Sequence, residues 1–235
     1  MPKRQFLFLC EHASHSLPGW ARPFFPKTAK EILESHKGWD AGAPHLARSL
    51  ARSLKGPLHC GAHSRLLLDL NRSVDSKNLW SYWSKKMPEA LKQKALLEFY
   101  VPYREHASRD LARLVNRGPV GIFAVHSFVP VLNGKTRSTD VGLLFHHASE
   151  KERLLAESLR FYLRRQLPDW KIHFNLPYRG FTDCFLNDLS EQYQANSDVV
   201  GLFLEFNQSR IGTLSERRKL SEMMRKAILL ASGVN

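Results

Sequence analysis

An α/β sheet covered by helices on both faces is the fold this sequence predicts, and three observations predict it. Short runs rich in Val, Ile, Leu and Phe alternate with stretches of helical periodicity. Each apolar run is bounded by polar or turn residues, as buried strands are, and strands alternating with helices of this length build such a sheet. No internal repeat, low-complexity segment or linker rich in Pro, Gly or Ser interrupts the pattern, so residues 1–235 read as a single domain.

The elements follow in order. QFLFLC, residues 5–10, is a strand that stops where Glu11 and His12 begin. A helix over 40–54 carries AGAPHLARSLARSL behind Asp40, which is placed to cap it, a role worth about 1 kcal/mol. Apolar runs at 58–60 and 66–70 predict the next strand, and 88–116 the next helix. Strands at 121–125 and 141–145 precede a helix over 149–166, where Leu154, Leu155, Leu159 and Tyr162 share one face. Residues 171–174 and 200–206 read as strands, and 214–232 as the last helix.

Composition narrows the function classes. Thirty-five Lys and Arg against 22 Asp and Glu give +13 and a pI near 9.9, a balance that suits anionic partners. The basic residues are dispersed, as in Lys85-Lys86, Arg164-Arg165 and Arg217-Arg218-Lys219, which fits solvated helix faces better than a nucleic-acid stripe. Trp80 and Trp83, beside Lys85 and Lys86, are the one aromatic and basic stretch such a stripe would use. No run approaches the roughly 18–20 apolar residues of a membrane span. The five-residue apolar run of MPKRQFLFLC is shorter than the roughly seven a secretion signal needs. Cys10, Cys60 and Cys184 form neither a disulfide framework nor a CxxC site, so a reducing, cytoplasmic setting is the expectation.

In open α/β sheets, sites gather beyond the carboxyl ends of strands. Four apolar runs here carry chemistry-bearing residues: Glu11 and His12 after 5–10, Asp69, Asn71 and Arg72 in SRLLLDLNRS, His126 in GIFAVHSF, and Glu205 in GLFLEFNQ. Two imidazoles and a carboxylate make a catalytic zinc shell with a position left for water. His12 and His126 are the ligand candidates, and Glu205 is the candidate base that takes the proton from that water. Asp40 is the third ligand, with His15, three residues after His12, as the alternative. Glu11 points to the opposite face if its strand continues. An Arg offers the bidentate fork that an anionic substrate group requires.

These residues, in this order, resemble the N-formylglutamate amidohydrolase family. The resemblance runs through EHASHSLP, HKGWDAGAP, SRLLLDLNRS, VPYREH, AVHSFVP, GKTRSTDVGLL, NLPYRGFTD and GLFLEFNQ, which together span residue 11 to about 210. It implies a three-layer, mixed-sheet, phosphorylase/hydrolase-like fold akin to zinc carboxypeptidases. It also implies hydrolysis of the amide of a small, anionic N-acyl amino acid with one Zn2+ per chain. Carried over, Asn71 and Arg72 bind a substrate carboxylate, while His126 and Glu205 keep the ligand and base roles. Zinc carboxypeptidases have His-x-x-Glu where this chain reads His12-Ala-Ser-His15, so their second ligand is missing at that spacing. Arg137 either meets a second substrate carboxylate or pairs with Asp140. Arg179 reaches an anionic substrate from a turn, and His146-His147 read as loop histidines. A carboxypeptidase or peptide amidase on the same fold, and a basic nucleic-acid-binding protein without catalysis, are the rival readings.

Overall fold

Residues 3–180, 183–193 and 199–233 are described by the structure, a computed structural model. In chain order the elements are β1 (Gln5–Cys10), α1 (Ala29–Glu34), α2 (Ala43–Leu54), β2 (Leu58–Cys60), α3 (Glu89–Ala95), α4 (Val101–Val115), β3 (Val120–Phe128), β4 (Val131–Leu132), β5 (Lys135–Thr136), β6 (Val141–Leu144), α5 (Glu150–Gln166), β7 (Ile172–Phe174), α6 (Phe185–Glu191), β8 (Val199–Asn207) and α7 (Leu214–Ala231). Six strands form one sheet in the order β2-β1-β3-β8-β6-β7, and β4-β5 is a separate hairpin. Neighbours are parallel except β6 against β8, which makes the sheet mixed.

Burial explains why the two longest strands are central. Every residue of β3 is buried, and so are eight of the nine residues of β8. Strands covered on both faces read as continuous apolar runs. Successive side chains of β1 go to opposite layers: Phe6, Phe8 and Cys10 join the core under α2, α5 and α7, while Leu7 and Leu9 join the core under α4 and α6. The expected helices on both faces are therefore present. The helix expected at 88–116 is α3 and α4 joined through a π turn at Leu96–Tyr100. No helix among the described residues is long and apolar enough to cross a membrane.

Two expectations are corrected. Residues 66–70 are not a strand. Ser64 and Asp69 draw the chain into turns: the Leu67 N–H donates to the Ser64 carbonyl and the Asn71 N–H to Asp69 Oδ1. Short polar side chains offer the backbone this local alternative to a ladder, and Leu67, Leu68 and Leu70 are still buried, against the second core. Asp40 does not cap α2. Gly42, at φ 83°, takes the left-handed N-cap position, and the Asp40 carboxylate turns elsewhere. Trp80 and Trp83 pack on the second core rather than forming an exposed stripe.

Candidate metal centre and active-site cleft

β1, β3 and β8 are parallel, so their carboxyl ends lie on the same edge of the sheet. That edge collects the predicted residues. β1 ends at Cys10, and alternation ends with it, so Glu11 and His12 both turn inward and are buried. Gly61 permits this ending, because a Cβ there would stand 1.9 Å from the Glu11 carbonyl oxygen. The Asp40 N–H donates to the His12 carbonyl at 3.0 Å, which brings the loop before α2 against the same point. On β3 and β8, His126 and Glu205 are direct neighbours in register.

At the centre, one ligand atom from each of His12, Asp40 and His126 lies within 4.8 Å of the other two, and all three residues are buried. Asp40 Oδ2 is 2.9 Å from His126 Nδ1 and 3.5 Å from His12 Nδ1. Ligand atoms in a tetrahedral zinc shell stand roughly 3.4 Å apart. Each imidazole is held from behind by an acid. His12 Nε2 donates to Asp69 Oδ1 at 2.8 Å, and Glu11 Oε2 lies 3.2 Å from His126 Nε2. A carboxylate on the far ring nitrogen is the usual way to fix the tautomer of a metal-binding His. His12 Nδ1 is buried with no hydrogen-bond partner, an expense a fold bears only where something else satisfies the atom. The residues fit a divalent metal: His12, Asp40 and His126 are able to hold one.

Charge around the centre is layered. Burial pulls the pKa of His12 down to about 4, with Arg65 adding to the effect against the pull of Asp69, so its ring is neutral near pH 7. Burial would push Glu11 up, but the His126 and His12 rings hold it below its ordinary value. Asp69 is likewise kept well below the usual carboxylate range by His12, Arg65 and Arg72 despite its burial. Burial raises Glu205, opposed by His126 and Arg65, and its Oε2 is buried without a partner. Arg65 ion-pairs with Asp40 Oδ1.

A cavity of about 550 Å3 opens over this centre. His12, Asp40, His126 and Glu205 line it, as do Asn71, Arg72 and Arg179. Asn71 Oδ1 accepts from the Phe185 N–H at 3.1 Å, and the Arg72 guanidinium donates to the Asp183 carbonyl. From the π turn, the Tyr100 hydroxyl donates to the Arg72 carbonyl at 2.8 Å. Arg137 stands one layer back: it donates to the Tyr178 hydroxyl at 2.9 Å and stacks on that ring. It does not pair with Asp140, whose partner is Arg210 at 2.7 Å. The structure does not bring His15 to the centre; it is exposed and packs against the Trp39 ring. His146 and His147 stack on one another in a loop after β6. The sequence places Glu11 and Asp69 among the strand-end residues without pairing them with the imidazoles, and it does not single out His36 and Tyr178, which lie in the cavity wall.

With this geometry in place, the comparisons with known proteins are informative. The family model described as N-formylglutamate amidohydrolase matches residues 4–211. A gene product of Agrobacterium tumefaciens of known crystal structure is 23% identical and superposes with a TM-score of 0.80, over 99% of this chain and 92% of that one. The crystal structure of N-formylglutamate amidohydrolase from Ralstonia eutropha is 17% identical with a TM-score of 0.70, over 100% of this chain and 96% of that one. Both share the fold. Among curated proteins none matches the chain.

Proposed function

Because the chain belongs to the N-formylglutamate amidohydrolase family, amidohydrolases acting on a carbon–nitrogen bond, we propose that it hydrolyses the amide of a small N-acyl amino acid, with an acidic amino acid preferred. The observation that carries this is the convergence of His12 Nδ1, Asp40 Oδ2 and His126 Nδ1 on one point beneath the cavity, with Glu205 beside them. His12, Asp40 and His126 would hold one divalent ion per chain, Zn2+ by the chemistry of the donor set, which when bound would supply Lewis-acid polarisation of the amide carbonyl and a lowered pKa for water.

The chain's own residues perform the remaining steps. Asp69 and Glu11 keep the two imidazoles oriented. Glu205, as carboxylate, accepts a proton from the attacking water and delivers it to the leaving nitrogen. The amide and one water thus become a carboxylate and an ammonium group. Asn71 and Arg72 bind the substrate carboxylate in a fork that Lys could not supply. Arg179, and Arg137 behind Tyr178, serve a second anionic group. The Arg65 guanidinium holds Asp40 in place through their ion pair.

Elemental analysis and an amine-release assay test this together. Wild-type protein is expected to carry or take up one zinc per chain and to cleave N-formyl or other N-acyl glutamates. His12→Ala and His126→Ala are expected to lose both properties. Protein that takes up no zinc and cleaves no N-acyl amino acid overturns the proposal.

A further inference from the structure

Cys10 and Cys60 are distant in sequence and adjacent in space. They are register partners at the carboxyl ends of β1 and β2, two parallel strands. Partners in register put their side chains on the same face of a sheet. Both thiols accordingly meet the core under α2, Cys10 buried and Cys60 partly exposed. Neighbouring strands run about 4.8 Å apart, inside the roughly 4.4–6.8 Å over which two Cα atoms accept a disulfide. The two side chains already hydrogen-bond to each other. β2 is three residues long and forms the edge of the sheet, so it is the strand free to move as the sulfurs close.

The three thiols of the chain differ in reactivity. The hydrogen bond from Cys10, helped by the Arg48 guanidinium on α2, holds the Cys60 thiol below its ordinary value despite partial burial. Burial pushes the Cys184 thiol up to about 12. An accessible thiol of lowered pKa beside a second cysteine is the arrangement that hydroperoxides oxidise selectively.

We infer that Cys10 and Cys60 are a modification site, which a hydroperoxide converts within the folded chain to a reversible disulfide. The Cys60 thiolate attacks the peroxide, the O–O bond breaks, and Cys60 becomes a sulfenic acid as the first water leaves. The Cys10 sulfur then attacks the Cys60 sulfur, the S–S bond forms, and the sulfenic oxygen departs as the second water. Two thiols and one H2O2 thus become one disulfide and two waters, the thiols giving up two electrons and the peroxide taking them. A dithiol reverses the step by exchange. The bond closes a covalent ring that contains His12 and Asp40, two of the three residues able to hold a metal. Nothing in this chemistry depends on the amide hydrolysis proposed above.

The test treats the reduced chain with a few equivalents of hydrogen peroxide, then alkylates, digests and maps it by mass spectrometry. The expected product is a linked pair of Cys10 and Cys60 peptides, lighter by two hydrogens and restored by dithiothreitol. It should form at least about tenfold faster than any oxidation of Cys184. Cys10→Ala should stop at the Cys60 sulfenic acid, trapped by dimedone, and Cys60→Ser should leave Cys10 a thiol. Because the bond joins neighbours already in place, the oxidised wild type should unfold at a urea midpoint no lower than the reduced one. Thiols that survive the peroxide, a Cys60 that instead crosslinks two chains, or a lowered urea midpoint would each overturn the inference. Should either variant fail to fold, the wild-type peptide map and urea titration still decide.

Discussion

Glu205 and Asp69 are both buried acids near the imidazoles, yet their surroundings differ. Glu205 has an oxygen without a partner in the cavity wall, whereas Asp69 is committed to His12 Nε2. If Glu205 is the base of the proposed reaction, Glu205→Gln should bind zinc as the wild type does and lose about 10²- to 10⁴-fold in kcat, the usual worth of a general base. Asp69→Asn should do the opposite. Turnover at saturating zinc changes little, while zinc affinity, measured by competition with a chelator, weakens about 10- to 100-fold. Equal metal loss in both variants would remove the distinction. Legibility also differed among these residues. His12, His126 and Glu205 interrupt or end apolar runs, and a buried polar group in such a run stands out. Glu11 was set aside because strand alternation was extended one residue too far, past Cys10 where β1 ends. Asp69 reaches His12 across 57 positions and Arg65 reaches Asp40 across 25, and such distant pairings leave no local pattern.

Elements were read best where one signal dominated. The helix expected at 149–166 is α5, Glu150–Gln166, started by a Ser149 side chain that accepts from the Glu152 N–H. The strands at 5–10, 58–60, 121–125, 141–145, 171–174 and 200–206 all exist, the central ones longer than expected. The leucines of 66–70 misled because burial alone does not distinguish a strand from a packed turn. The short α1 and α6 were not foreseen, since six or seven residues hold too few turns to display a period. One element junction is testable. At Gly142 of β6, a Cβ would stand 2.1 Å from the Leu176 carbonyl oxygen and 3.2 Å from Glu205 Cβ. Gly142→Ala must push the strap after β7 away from the sheet, at a cost of about 1–3 kcal/mol. Urea titration should show a lowered midpoint, and kcat should fall with it because Glu205 is displaced.

For the molecule as a whole, a charge of +13 surrounds a cleft with arginines in its wall. Fields of this kind concentrate anionic ligands and are screened by salt. Raising salt from low concentration to about 0.5 M should lower kcat/KM for an N-acyl glutamate by about threefold or more, with little change for an uncharged N-acyl amino acid amide. Similar losses for both compounds would mean that the charge serves something other than substrate capture. The strand order β2-β1-β3-β8-β6-β7 carries a consequence of another kind. The strand made last is seated in the middle. Until β8 leaves the ribosome, β3 and β6 each present an unpaired edge to the other and to any passing chain, a known hazard for mispairing. The same strand brings Glu205. Synthesis thus closes the sheet and completes the cavity wall in one event.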